Sequence, residues 1–139
     1  MSRETVEIVR RTFAEFQAGL ASGNPVAVFD AGLVSPDSEW IVPAEAPGLR
    51  SVYRGREEFV EFMRTWTEDF DWSIELDRVI DAGNGRAVVT SRQRATGKGS
   101  GVPVELQMGA LWELEDGQVI RIENFFDPAE ALAAAGLRE

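Results

Sequence analysis

The chain has 139 residues, a formal charge of −10 and an isoelectric point near 4.5, which argues against the basic, phosphate-binding surface that a nucleic-acid partner requires. Neither cysteine nor histidine occurs, so disulfides, thiolate nucleophiles, Cys/His zinc sites and imidazole-based triads are excluded. Acid–base chemistry would have to come from carboxylates, lysine or the one tyrosine, Tyr53, and electrophilic help from Arg, Asn or backbone. The length fits a single domain over residues 1–139 that buries ~68–70% of its unfolded surface. With 44% apolar and 27% charged residues the composition is that of an ordinary soluble globule. No apolar stretch approaches the ~20 residues of a membrane helix. Met1-Ser2-Arg3-Glu4 lacks the basic-then-apolar layout of a signal peptide, so a cytoplasmic location with no membrane partner is expected.

In chain order, Val6, Val9, Phe13, Phe16 and Leu20 recur at steps of three and four, which predicts an amphipathic helix from Ser2 to Ala21. Gly23-Asn24-Pro25 ends it and starts a second, with Asn24 as N-cap, Pro25 at the first helical position, and Val26, Phe29 and Leu33 on one face. Ser35-Pro36-Asp37 then breaks the helix before a strand from Ser38 to Val42. Residues 43–54, with two prolines and a glycine, read as a mobile loop. A third helix opens at Gly55 with an apolar stripe of Phe59, Phe62, Met63, Trp66 and Phe70. Strands follow at 73–80, 86–96, 102–114 and 118–126, separated by the turns Gly83-Asn84-Gly85, 97–101 and Glu115-Asp116-Gly117. Asp127-Pro128-Ala129-Glu130 supplies N-cap, N1 proline and capping-box glutamate for a closing helix that ends near Ala135, with Gly136 as C-cap. Helices followed by an antiparallel meander predict a segregated α+β domain.

Period-two alternation sets the faces of the last strands. Val104, Leu106, Met108, Ala110, Trp112 and Leu114 share one side; Ile120, Ile122, Asn124 and Phe126 share a side of the final strand, on which Asn124 is the one polar residue. Strand 86–96 divides less cleanly. If its even set (Val88, Thr90, Arg92, Arg94) faces inward, two guanidinium groups approach Asn124 and need carboxylate, ligand or water partners. The glycine-rich run at 97–101 lacks the order of a phosphate loop and joins two strands, so it is a hairpin. The acidic run Glu57, Glu58, Glu61, Glu68, Asp69 and Asp71 reads as a solvated surface with no metal site.

The layout, with Tyr53-Arg54-Gly55-Arg56-Glu57-Glu58-Phe59, the hairpin 97–105, Asp116 to Ile122, and the ending Phe125-Phe126-Asp127-Pro128-Ala129-Glu130-Ala131-Leu132, resembles the SnoaL-like branch of the NTF2-like superfamily over nearly the whole chain. The resemblance implies an α+β cone: three N-terminal helices on a curved, mostly antiparallel sheet, with a short C-terminal helix. It further implies a pocket between the helices and the concave face, homodimers, and no cofactor. Members include polyketide cyclases, ketosteroid isomerase, limonene epoxide hydrolase, scytalone dehydratase and noncatalytic binding proteins, so the fold alone does not choose a function. By this likeness the ligand-binding wall comprises Trp40, Phe62, Trp66, Phe70, Leu106, Met108, Ile122 and Phe126, with Arg92, Arg94 and Asn124 as polar points.

The departures from the family narrow the chemistry. The epoxide hydrolases activate water with an Arg between two Asp; the matching positions here are Arg92, Arg94 and Asn124, and their water-positioning Tyr and Asn fall at Trp40 and Val42. Both carboxylates are missing, which argues against epoxide hydrolysis. Cyclases and isomerases need a pocket carboxylate as base, and the amide of Asn124 is not one. Asn124 either satisfies a backbone group or structural water, or orients a ligand oxygen. Arg92 and Arg94 are either surface residues or anchors for an anionic ligand. Tyr53 is a loop anchor, or else a lid residue or general acid. Two readings stay open: a protein that binds a small hydrophobic molecule, anionic or carbonyl-bearing, with no identifiable catalytic residue; or a cyclase, isomerase or dehydratase whose base comes from a residue such as Glu39 or Glu45.

Overall fold

A computed structural model describes residues 2–24, 26–43, 45–46 and 49–137. Among the described residues four helices, α1 (Ser2–Ser22), α2 (Ala27–Asp30), α3 (Gly55–Asp69) and α4 (Pro128–Ala134), accompany six strands: β1 (Val34–Ile41), β2 (Val52–Arg54), β3 (Phe70–Gly83), β4 (Arg86–Gly97), β5 (Pro103–Glu115) and β6 (Gln118–Phe125). The strands form one open sheet in the order β2-β1-β6-β5-β4-β3, antiparallel throughout except where β1 runs parallel to β6. None of the described helices is long and apolar enough to cross a membrane.

The turn chemistry explains the meander. Asn84 and Gly85 (φ 57° and 74°) and Asp116 and Gly117 (φ 52° and 79°) take the left-handed conformation that two-residue hairpins need. At Gly85 a side chain has no room either, because a Cβ would lie 2.7 Å from the Leu114 carbonyl oxygen. Bulges interrupt β3 near Asp77 and the β5–β6 pairing near Ile120, and such irregularities bend a sheet.

The inner face carries a row of directly paired residues, Tyr53, Trp40, Ile122, Trp112 and Ala87, across β2, β1, β6, β5 and β4. Val9 and Phe13 of α1 and Val28 of α2 close over the middle of this row; Phe59, Phe62 and Met63 of α3 cover Tyr53 and Val42. The outer face is not wholly polar. Val88 and Leu111 are buried there beneath Ala131 and Leu132 of α4 and Ala135 at its C-cap. The helix begins as its sequence dictates, with Asp127 Oδ1 accepting from the Ala129 amide at 2.9 Å and Pro128 following the cap.

Several boundaries differ from the sequence expectation. Ser35-Pro36-Asp37 lies within β1, whose pairing with β6 is irregular between Val34 and Glu39; a proline without N–H is tolerated at such a break. The segment 43–54 is not loop throughout, since Val52–Arg54 pairs with β1. The second helix is a single turn, and Leu33 is buried beyond its end. The N-cap of α2 is Val26 with no side-chain cap bond, not the expected Asn24, whose Oδ1 instead accepts from the Val26 amide at 3.3 Å; the expected role of Pro25 falls outside the described residues. Phe70 opens β3 instead of closing α3. In β6 the bulge moves the buried position from Ile120 to Val119, which is fully buried. Val104, at the open end of β5, is 44% exposed instead of joining the buried face.

Candidate functional site

Between the helices and the inner face of the sheet lies a cavity in two adjoining compartments that share Trp40, Gln93 and Asn124 in their walls. The first is closed by Phe13 and Phe16 of α1, Phe29 and Phe59, and floored by Ser38, Tyr53, Ile74, Val89, Ser91, Ala110, Trp112 and Ile122. It holds about 750 Å³ of atom-free space, opening included. The second, about 500 Å³ on the same measure, is walled by Val42, Pro43, Ala46, Leu49, Phe62, Trp66, Trp72, Leu106, Met108 and Phe126. Both walls are overwhelmingly apolar, and their rings interlock. Trp40 meets Phe59 at 5.4 Å and Phe62 at 5.5 Å between centroids, Phe16 meets Trp72 at 5.7 Å, and Trp66 meets Trp72 at 5.9 Å.

Of the sequence-derived residues, Trp40, Tyr53, Phe62, Trp66, Leu106, Met108, Ile122, Asn124 and Phe126 are brought together in these walls, with Phe126 at 37% exposure. Phe70 is not part of either wall; it stacks on Trp66 at 4.8 Å. Arg92 and Arg94 correct the inward-arginine expectation: both are exposed on the opposite face. The reason is register. The 97–101 hairpin pairs Ala95 with Val104, Gln93 with Leu106, Ser91 with Met108 and Val89 with Ala110, so the odd residues of β4 share the face of the even residues of β5. Arg94 lies opposite Glu105 and pairs with it at 2.8 Å on the outside, and Arg92 sits in register between Glu75 and Gln107.

The polar groups of the cavity form short chains. Trp72 Nε1 donates to Gln93 Oε1 (2.9 Å), and Gln93 Nε2 donates to Ser91 Oγ (3.2 Å). Asn124 Nδ2 donates to the Ile41 carbonyl at 2.8 Å, tying β6 to the end of β1. Tyr53 is buried, its hydroxyl accepts from the Arg50 amide at 3.2 Å, and the Arg50 guanidinium lies 4.6 Å above its ring, so it does anchor the loop before β2. Among the described residues, the indole N–H groups of Trp40 and Trp66 are buried with no hydrogen-bond partner.

One carboxylate residue, Glu39, belongs to the wall among the described residues. Alternation with Trp40 sends its side chain to the outer face, where Oε2 lies 2.9 Å from Arg54 Nη2 and Oε1 3.7 Å from Arg121 Nε. Arg121 in turn pairs with Glu113 at 2.9 Å and Glu123 at 3.3 Å. Glu39 is thus a strand residue inside an ion-pair network, not a loop residue, and Glu45 is exposed and in neither wall.

The sequence matches the SnoaL-like domain family over residues 9–122. The chain belongs to the SnoaL-like family. No curated protein matches it. Among solved structures, an NTF2-like protein of unknown function from Burkholderia pseudomallei is 24% identical, with 94% of this chain and 95% of that one covered and a TM-score of 0.72. A putative SnoaL-like polyketide cyclase from Jannaschia sp. is 23% identical, with coverage of 99% and 95% and a TM-score of 0.73. TerC, co-crystallised with polyporic acid, is 20% identical, with coverage of 96% and 98% and a TM-score of 0.74. These likenesses establish an NTF2-like fold: a curved, open, six-stranded mixed sheet with N-terminal helices and a short C-terminal helix.

Proposed function

We propose that this SnoaL-like protein binds a small, largely apolar molecule in the two-compartment cavity and holds it without acid–base catalysis. The observation that carries the reading is the character of the wall. Tryptophan, phenylalanine and aliphatic side chains dominate it, and the one carboxylate residue among the described residues of the wall directs its charge to Arg54 and Arg121 on the other side of the sheet. A general base must reach the proton it removes within hydrogen-bond distance or through one water, and Glu39 would have to leave both arginines and cross the sheet. Small-molecule sites of mostly apolar lining with a few placed polar groups are the usual form of such pockets. TerC, of the same fold, was co-crystallised with a small molecule, polyporic acid.

The test has two arms. Cumene should raise the melting temperature of the wild type in a concentration-dependent way but not that of Ala110→Leu, in which three further carbons stand at the wall. Acetophenone in D2O then reports on catalysis, because a base in the cavity would exchange its methyl protons for deuterium. No protein-dependent exchange is expected. Exchange that disappears in Glu39→Gln would establish a catalytic base and overturn the noncatalytic reading.

A further inference from the structure

The two compartments of the cavity are closed by different means. Every wall residue of the first is buried or half-buried, and its cover comes from helices: Phe13 and Phe16 of α1, Phe29 of α2 and Phe59 of α3. The second contains Phe126, the one exposed residue in either wall among the described residues. Its wall also includes Pro43, Ala46 and Leu49, which belong to no helix or strand, beside Phe62 and Trp66 of α3. Side chains carried on backbone outside helix and sheet ladders are displaced at lower cost than those on paired elements. The way between solvent and the cavity therefore runs through the second compartment.

Leu49 is held in that wall by the residue after it. Arg50 Nη2 lies 3.4 Å from Glu58 Oε1 and 3.5 Å from Glu61 Oε2, both on α3. The Arg50 guanidinium also rests on the Tyr53 ring, and its amide donates to the Tyr53 hydroxyl. The α3 end of this tie is fixed, because Glu58 Oε1 also accepts from the Arg54 amide at 2.7 Å. On the other side of Arg50 the Ser51 carbonyl accepts from the Val42 amide at 2.9 Å, just beyond the end of β1. The tie to α3 is nevertheless easily broken: the side chains of Arg50, Glu58 and Glu61 are 49%, 41% and 56% exposed. Ion pairs in that much water are individually weak and are screened by salt. The ion pair of Arg56 with Asp30 is different in kind, since it joins one helix, α3, to another, α2.

We propose that Leu49 is the gate of the cavity and Arg50 its latch: a small molecule enters and leaves through the second compartment when the Arg50 guanidinium releases Glu58 and Glu61, and ionic strength sets how often that happens. The inference rests on the small-molecule reading above and concerns the regulation of that same site.

The test follows the exchange of 4-fluorotoluene with the full chain by 19F exchange spectroscopy, with Kd from titration; the probe is uncharged, so salt does not steer it. Arg50→Gln and the isosteric double variant Glu58→Gln/Glu61→Gln should each raise entry and exit rates together by about fivefold or more, with Kd held within about twofold, because a gate lowers the barrier equally from both sides. Raising NaCl from about 0.02 M to about 0.5 M should speed exit from the wild type toward the variant rates and leave the variants nearly unmoved. Arg56→Gln should leave both rates within about twofold, as the loss of an exposed pair away from the gate. Unchanged rates in both latch variants, with the probe still bound, would overturn the gate and leave the cavity intact. A faster exit matched by an equal loss of affinity would make Arg50 a support of the wall instead of a latch. Acceleration by Arg56→Gln as large as by Arg50→Gln would move the way in to the helices of the first compartment and overturn the assignment to Leu49. Failure of the wild type to bind the probe at all would remove the small-molecule reading itself, and the inference with it.

Discussion

Trp112 and Glu113 are consecutive in β5 and point to opposite faces, which makes them a sensitive pair for the inner-face assignment. Trp112 is 6% exposed, lies between Ala87 and Ile122 in register and packs in the cluster that includes Val9, Phe13 and Val119. Truncation of a buried Trp to Ala costs about 3–5 kcal/mol. One side of this ring already borders the cavity, so fewer van der Waals partners are lost than in a fully packed core, and the lower half, about 3–4 kcal/mol, is expected. A domain of this length has roughly 7–20 kcal/mol of total stability, and each kcal/mol lowers the melting temperature by about 3–4 °C, so Trp112→Ala should melt about 10–15 °C lower. Glu113→Ala, which removes only a partly exposed partner of Arg121, should lose about 1 kcal/mol or less. Urea titrations followed by far-UV circular dichroism measure both without relying on the remaining tryptophans. A loss under about 1 kcal/mol for Trp112→Ala, or a larger loss for Glu113→Ala than for Trp112→Ala, would refute the assigned register.

Gly109 gives a second test, of the outer layer: a Cβ there would lie 2.7 Å from Pro128 Cα and 2.9 Å from Ala131 Cβ. Gly109→Val should therefore push α4 off the sheet, costing about 1–3 kcal/mol and raising amide exchange selectively in residues 128–135; unchanged protection there would contradict the packing. Arg92→Ala combined with Arg94→Ala should leave cumene and acetophenone affinity within twofold, because both guanidinium groups are on the far side of the sheet. A tenfold loss would place them in the binding site after all.

Much of this arrangement is legible in the residues because local chemistry and long-range pattern agree. The even residues of β5 announce a buried face, and Asp127-Pro128 announces a helix that forms where expected. Trp40, Trp66 and Asn124 reach the cavity walls: the family resemblance points to the two tryptophans, and alternation with Ile122 beyond the bulge points to Asn124. The orientation of β4 is harder, since its two faces are similarly apolar at one end and similarly polar at the other. The length of the 97–101 hairpin decides it, by pairing odd residues with even ones. That parity also hides Gln93 and Ser91, and with them Trp72, whose only signal is alternation with exposed Asp71 and Ser73. Bulges near Asp77 and Ile120 break the period of two and leave no mark in composition. The three-residue strand β2 is too short for any periodic signal; it pairs with β1, and its Tyr53 packs on Phe62 at 5.2 Å.

The space between the helices and the inner face is the proposed site of a small apolar molecule. All four tryptophans of the chain line that space, Trp40, Trp66, Trp72 and Trp112, so their indole N–H resonances report on it directly. A 15N–1H correlation spectrum of the protein titrated with toluene, with the indole peaks assigned by single Trp→Phe variants, is the most direct measurement. Saturable shifts of the Trp40 peak together with at least one of the other three are expected, with the backbone amides of Arg92 and Arg94 moving less. Indole peaks that stay fixed at the solubility limit of toluene would contradict it.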